Sequence, residues 1–600
     1  MSQYHAPLRE MRFVMNELAG LEQVGKLPGF EDATPDTVAA ILDEAAKFAT
    51  EVLDPLNAVG DREGARRSDD GSVQTPTGFK AAYLQYCANG WNGLTKNPEF
   101  GGQGLPRLVA TAVEEMWHAS NMAFDLCPLL TQGAIEAIEL CGTAEQKERF
   151  LPKMVAGMWT GTMNLTEPQA GSDLAAVRTR AVPQPDGSFK LYGQKIFITY
   201  GEHDYTENII HLVLARTPTA PEGVKGISLF IVPKFLIDAD GSLGARNDVL
   251  CVSIEHKLGI HASPTAVLAY GDHGGAIGHL VGQENRGLEY MFIMMNLARF
   301  SVGLEGVGIA ERAYQRATTY AKERVQGRAI GADQGDATAT IIQHPDVRRM
   351  LLSMKAQIEA MRALAYVTAA ALDNAQAHPD AEARKRHQAF VDLMIPVVKG
   401  WCSENAQEIT STGVQVHGGM GFIEETGAAQ HYRDARIITI YEGTTGIQAN
   451  DLIGRKTARD GGKVALSVIA EMQALDAELG KQAGAEFAAI RAQLAAAVAA
   501  LKTAVEWVAR SYANDSRAAH AASVPYLKLW GLTAGGWQLA RAALVAARRL
   551  AEGRGDADFY RGKIATARFY ADYHLPQTAA LKHAVLTAGE SVLALSDEQF

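Results

Sequence analysis

The hydrophobic pattern changes period twice along the chain. From about Pro35 to Met158 apolar positions recur every three or four residues, the spacing of amphipathic helices. In "TPDTVAAILDEAAKFATEVL" Thr34 stands as an N-cap and Pro35 at the first helical position. "TAEQKERFLPKMVAG" follows suit, with Thr143 capping and Gln146 three residues on. Between Thr160 and Gly282 the pattern becomes that of strands: "GSFKLYGQKIFITY" after the turn Asp186-Gly187, then "NIIHLVLART", "GISLFIVPKF" and "TAVLAYGD", punctuated by Gly, Pro and Asp. Short strands without intervening helices predict a compact antiparallel β domain.

Helical spacing returns from Asn285 to about Ser411 in three long segments, which contain "RGLEYMFIMMNLARF", "HPDVRRMLLSMKAQIEAM" and "ARKRHQAFVDLMIPVVKG". Their length and tight apolar stripes predict a four-helix-type bundle. A further Ala-rich helical stretch, Gly461 to about Gly589, carries roughly balanced charges. The chain has no solenoid-type repeat. The expected class is mainly α with a central β domain. Its parts are an N-terminal extension (1–35), a helical domain (36–159), a β domain (160–283), a four-helix domain (284–456) and an additional helical domain (457–600).

Six hundred residues exceed one core, and 47% hydrophobic with 21% charged content is ordinary for globular domains. A net charge of −11 argues against nucleic-acid binding through bulk electrostatics. The five cysteines, Cys87, Cys127, Cys141, Cys251 and Cys402, form no CxxC pair, so neither a disulfide framework nor a zinc site is expected. "MSQYHAPLREMRFVMNEL" has no apolar block and reads as neither a secretory signal nor a transit peptide. No uninterrupted apolar run approaches a membrane span. These features predict a cytoplasmic protein without integral membrane association.

Several stretches could carry chemistry. "MNLTEPQAGSDLAAV" is a Gly/Ser/Thr-rich loop whose backbone N–H groups and hydroxyls suit a flat heteroaromatic or a phosphate, though an ordinary polar turn reads the same way. Phe197 and Thr199 alternate onto one face of a strand, or else are a core Phe beside a surface Thr. "GVQVHGGMGF" follows a helix and lacks the strand–GxGxxG–helix context of a dinucleotide turn. The glycines of "GLEGVGIAERA" lie within a helical period and are expected to serve helix packing. His417 has no second ligand at metal spacing, so no metal is expected. In "ITIYEGTTGIQ", Glu442 sits after a strand-like apolar segment, between a tyrosine and a Gly-Thr-Thr-Gly run; a solvated loop glutamate is the plain alternative.

Taken in this order, "LTEPQAGSD", "KIFITYG", "ARFSVGLEGVGIAERAYQRATTYAKERVQG", "QVHGGMGF" and "RDARIITIYEGTTGIQ" resemble the acyl-CoA dehydrogenase family, from about Asp36 to Lys456. That family's fold is a helical domain, a β domain and a four-helix domain. The tyrosine-led start and the tail after Lys456 are similar to a longer subgroup, the 3-methylmercaptopropionyl-CoA dehydrogenase-like enzymes, and more distantly to very-long-chain acyl-CoA dehydrogenases.

The resemblance implies FAD as cofactor and Glu442 as the base that removes the proton alpha to a thioester, while flavin N5 accepts the β hydride. Where some relatives place the base on a helix, Asn296, Leu297 and Ala298 offer no carboxylate. The backbone N–H of Glu442 and a ribityl hydroxyl of FAD are implied donors to the thioester oxygen. Thr166 and Thr199 match flavin-ring contacts and Phe197 an aromatic beside the ring. Arg324 and Gln343 match pyrophosphate contacts made across a subunit interface; Gln415, Gly418, Gly419 and Thr444 match further FAD contacts. Ser172, Asn296 and Arg299 match positions along the acyl-CoA path. Gly446 departs from the family's glutamine and is assigned nothing. A homodimer and an electron-transfer flavoprotein are the implied partners. An acyl-CoA oxidase is a second enzyme reading; a DNA-associated flavoprotein of the alkylation-response type is a third reading, which would need a basic surface on the tail.

Overall fold

The computed structural model describes residues 3–331 and 338–600. The chain forms two compact units. One comprises Lys47–Leu105 and Ser120–Ser301; the other comprises Met1–Ala46, Pro106–Ala119 and Val302–Phe600.

The first unit is built on an eight-stranded sheet. Its central strand, Phe189–Thr199, pairs antiparallel with Thr265–Tyr270, Ala276–Leu280 and Arg180–Pro183. The sheet is mixed rather than purely antiparallel, because Trp159–Asn164 runs parallel to Asn208–Ala215. Two other strands lie between these partners in the chain, and that length of connection lets the backbone return in the same direction. "WTGTMN" is buried at all six positions, so it has no alternation to betray a strand. Phe189, Leu191, Ile198, Val213, Phe230 and Val232 fill the core of the sheet. The capping box at Thr143 and Gln146 starts the Ala144–Val155 helix as expected.

The second unit is helical. Pro345–Ala377 and Ala381–His417 pack side by side, joined by a three-residue turn, and the later part of Gly287–Glu323 lies against Ala381–His417. The shorter Thr445–Gly454 completes the bundle around Ala381–His417. The C-terminal helices are part of the same core. A Cβ on Gly531 would stand 2.0 Å from the Trp401 ring, and one on Gly535 would stand 2.7 Å from it. The indole thus lies in a groove that only glycine leaves open on the Ser523–Ala551 helix.

The N-terminal extension closes over this tail. Lys563 bridges Glu10 and Glu359, with Nζ 2.7 Å from Glu359 Oε2. Phe13 meets Phe559 edge to face at 5.5 Å, and Arg541 donates to the Leu18 carbonyl at 2.9 Å. Two helices, Gly287–Glu323 and Ala485–Ser511, have the length and mean hydropathy of a membrane span, although neither is an uninterrupted apolar run. Their most apolar windows are 72% and 44% buried within the chain's own fold.

Candidate active site

On the β unit, a sheet irregularity positions the expected ring contacts. Pairing with Thr265–Tyr270 shifts between Ala266 and Leu268, so that Ile196 and Phe197 together oppose a single residue. Phe197 occupies this bulge at φ 60°, a left-handed backbone rare outside glycine. Its ring is turned out of the core and is 58% exposed. Ile198 is buried and Thr199 half-buried, so Phe197 and Thr199 face away from the core. The Thr166 carbonyl accepts Ile196 N–H at 2.9 Å, which brings Thr166 to the same bulge. Among the described residues neither the Thr166 nor the Thr199 hydroxyl has a hydrogen-bond partner.

The loop carrying Thr166 is held by a residue pair the sequence reading passed over. Glu167 accepts Lys195 Nζ at 2.8 Å, Thr179 N–H at 3.0 Å and Arg178 N–H at 2.7 Å, and Lys195 also donates to the Leu165 carbonyl at 2.9 Å. Burial works against the Glu167 charge, but the Lys195 ammonium and these donors outweigh it and hold the carboxyl down to about 2. Burial also draws the Lys195 ammonium down to about 8, against the pull of Glu167. The pair therefore fixes geometry more than it adds net stability. The only local signal for it was a lysine at the inward-facing position of an alternating strand. Ser172 is exposed on the same loop; Asn296 is exposed and Arg299 buried, three residues apart on one helix.

On the helical unit, the segment before Glu442 is a 3-10 turn, Arg436–Thr439, and not a strand. Its β-branched run imitates a strand, but Ile440 and Tyr441 N–H both bond back to the Ile437 carbonyl. Glu442 is half-buried and stands at φ 54°. Gly443 follows at φ 88°, where a Cβ would lie 2.6 Å from Gln448 Nε2. Gln448 donates to the Glu442 carbonyl at 3.1 Å, and buried Lys399 donates to the Ile438 and Gly443 carbonyls at 2.8 and 2.7 Å. Thr444 caps Thr445–Gly454 through its hydroxyl, which accepts Ile447 N–H at 3.2 Å. The Tyr441 hydroxyl donates to Glu305, a buried carboxyl that sequence reasoning also passed over.

The remaining expected residues on this unit are solvent-facing. Arg324 and Gln343 flank the bridge between Val325 and Thr340, and the Arg324 carbonyl accepts Ile341 N–H at 2.8 Å. Gln415, Gly418 and Gly419 are exposed where Ala381–His417 ends, and no atom lies within 4 Å of a Cβ built on either glycine. His417 stacks on Tyr320 at 4.5 Å and bonds the Gly413 carbonyl at 2.7 Å.

The N-terminal, middle and C-terminal domains of acyl-CoA dehydrogenase match residues 35–158, 162–272 and 285–456. The chain belongs to the acyl-CoA dehydrogenase family. An acetyl-CoA dehydrogenase C-terminal-like domain matches residues 468–596. The chain is therefore a FAD-dependent acyl-CoA dehydrogenase family enzyme with a C-terminal helical extension. It is 50% identical over 593 residues to a 3-methylmercaptopropionyl-CoA dehydrogenase of Ruegeria pomeroyi, covering 99% of this chain and 100% of the relative. It is 36% identical over 617 residues to a broad-specificity linear acyl-CoA dehydrogenase of Mycobacterium tuberculosis, covering 100% of both. A solved acyl-CoA dehydrogenase from Bacillus anthracis, complexed with FAD, shares the fold with a TM-score of 0.74 at 21% identity, over 96% of this chain and 92% of that one.

Proposed function

We propose that this acyl-CoA dehydrogenase desaturates 3-methylmercaptopropionyl-CoA between its alpha and beta carbons, with Glu442 as the base. The full-length likeness to the Ruegeria pomeroyi enzyme supports the substrate. The observation that carries the base is the Glu442 backbone, a non-glycine residue at φ 54° clamped through the carbonyls on either side. Such strain costs about 1–3 kcal/mol and persists only where the surroundings over-determine it.

Glu442 takes the alpha proton. A carboxylate in water is too weak a base for this, so the acid must be sheltered and the enolate stabilised. Its own backbone N–H is the proposed donor to the thioester oxygen, where negative charge develops. FAD, when bound, supplies the acceptor for the β hydride. The donor set fits it: an aromatic ring turned outward between two unengaged hydroxyls suits a flat ring system, and the uncovered backbone at Gly418 and Gly419 suits close approach. Thr166, Phe197 and Thr199 hold the ring. Arg324, Gln343, Gln415, Gly418, Gly419 and Thr444 hold the remainder, with Arg324 and the Gln415–Gly419 segment serving the partner copy of a homodimer. Ser172, Asn296 and Arg299 line the acyl-CoA path. Electrons leave to an electron-transfer flavoprotein, and the reaction runs in the cytoplasm.

Anaerobic reduction by a panel of acyl-CoA thioesters tests the reading. The highest kcat/KM is expected with 3-methylmercaptopropionyl-CoA; a linear acyl-CoA that exceeds it tenfold rejects the substrate. Glu442→Gln is expected to slow reduction by about 10²–10⁴-fold. Near wild-type turnover in that variant rejects the base.

A further inference from the structure

A second carboxylate lies beside Glu442. Glu305 falls between Gly303 and Gly306 on the Gly287–Glu323 helix, where that helix runs very close to Ala381–His417. A Cβ at Gly303 would stand 2.6 Å from Val398 Cγ1, and one at Gly306 would stand 2.7 Å from the Cys402 carbonyl oxygen. This approach seals Glu305 from water entirely. Its Oε2 accepts the Tyr441 hydroxyl, and its Oε1 is buried without a hydrogen-bond partner among the described residues. A half-satisfied buried carboxyl is a poor stability device, since an apolar side chain would fill the space at less cost.

We propose that Glu305 is a positioning residue for the base: by holding the Tyr441 hydroxyl it fixes the residue before Glu442 and keeps the Glu442 backbone left-handed. This rests on the reading of Glu442 as the base. Lys399 and Gln448 hold backbone carbonyls of the loop. The Tyr441 side chain ties the loop to the Gly287–Glu323 helix. Without that tie the loop loses one of the contacts that hold the Glu442 backbone left-handed.

Burial drives the Glu305 carboxyl up to about 8; the Tyr441 hydroxyl and the Lys399 ammonium oppose the rise, and the Glu442 charge adds to it. At neutral pH Glu305 is therefore a neutral acid, and the base is spared a second negative charge. The titratable groups that face it are Tyr441 and Glu442 on the loop and Lys399 on Ala381–His417. As pH rises through about 8, Glu305 ionises beside Glu442, and turnover falls.

The test uses the full-length, flavin-loaded protein with Glu305→Ala, Glu305→Gln, Tyr441→Phe and the Glu305→Ala/Tyr441→Phe double variant. Glu305→Ala and Tyr441→Phe are each expected to lower kcat about tenfold with little change in KM. The double variant should be no worse than either single one, because both remove the same contact. Glu305→Gln keeps an acceptor oxygen and should recover most of the loss, while its pH profile lacks the fall near 8 seen in the parent. Wild-type kcat in Glu305→Ala, multiplying losses in the double variant, or an unchanged high-pH fall in Glu305→Gln would each overturn the proposal. If Glu305→Ala fails to fold, as judged by circular dichroism and flavin content, Tyr441→Phe and Glu305→Gln decide alone. Full turnover in Glu442→Gln sinks the base itself. A dead Glu442→Gln beside unaffected Glu305 variants sinks only the positioning role.

Discussion

Lys195 and Glu167 are buried against each other at 2.8 Å, and each has the loop from Leu165 to Thr179 in its grip. Removing one partner leaves an uncompensated charge in the core. Glu167→Ala or Lys195→Met is therefore expected to cost about 3–5 kcal/mol, and the double apolar replacement Glu167→Leu/Lys195→Met to recover most of it. Denaturant unfolding of the three variants checks this. The recovered fold should still bind FAD less well, because the loop that presents Thr166 has lost its anchor.

Phe197 gives the converse case. Its ring is mostly exposed and adds little to the core, so Phe197→Ala should change stability by less than about 0.5 kcal/mol. On its proposed role beside the flavin, loss of the ring should weaken FAD retention by about three- to tenfold. Flavin content after dilution and gel filtration, read beside the unfolding midpoint, separates the two effects.

His211 makes the β unit acid-sensitive. Burial, with Lys234 and Arg246 adding, pushes the ring down to about 3, and its Nδ1 lies 2.7 Å from the Thr162 hydroxyl. The folded ring stays neutral while the unfolded chain binds a proton below its ordinary value of 6.5. Stability attributable to this group is thus complete above that value and declines as pH falls, by roughly 2–3 kcal/mol at about pH 4.5. Glu167, held near 2, adds its own loss only below its ordinary 4.5. Unfolding midpoints across the upper window should fall less steeply in His211→Gln than in the parent.

Gly306→Ala tests the helix contact. Its new methyl would meet the Cys402 carbonyl oxygen at 2.7 Å and force the helices apart. Destabilisation of about 1–3 kcal/mol is expected. The accompanying drop in turnover should exceed that of a surface variant of equal stability, since Glu305 moves with the helix.

Local signals were legible where a few adjacent residues decide the outcome. Thr143 and Gln146 announce their helix by spacing alone. The family motifs drew attention to Glu442 and Phe197, both of which stand at positive φ, and the helical glycines of "GLEGVGIAERA" do serve packing, with Gly303, Gly306 and Gly308 all in close contact with neighbouring segments. What escaped depends on distant partners. "ITI" has a strand's composition but folds as a 3-10 turn because its N–H groups find a carbonyl three or four residues back. "WTGTMN" is buried on both faces and so carries no period. Nothing local marks Glu305, because its partner Tyr441 lies 136 positions away.

The embrace of the tail by the N-terminal extension has a consequence for synthesis. Phe13 leaves the ribosome 546 residues before Phe559, a delay on the order of half a minute to two minutes at ordinary translation rates. Throughout that interval Phe13, buried at the end, lacks Phe559 and Tyr560, the rings it packs against. The helical unit can close only after its last helices emerge, so its leading segment waits for its final partners, while the β unit, contained in residues 47–301, is free to fold first.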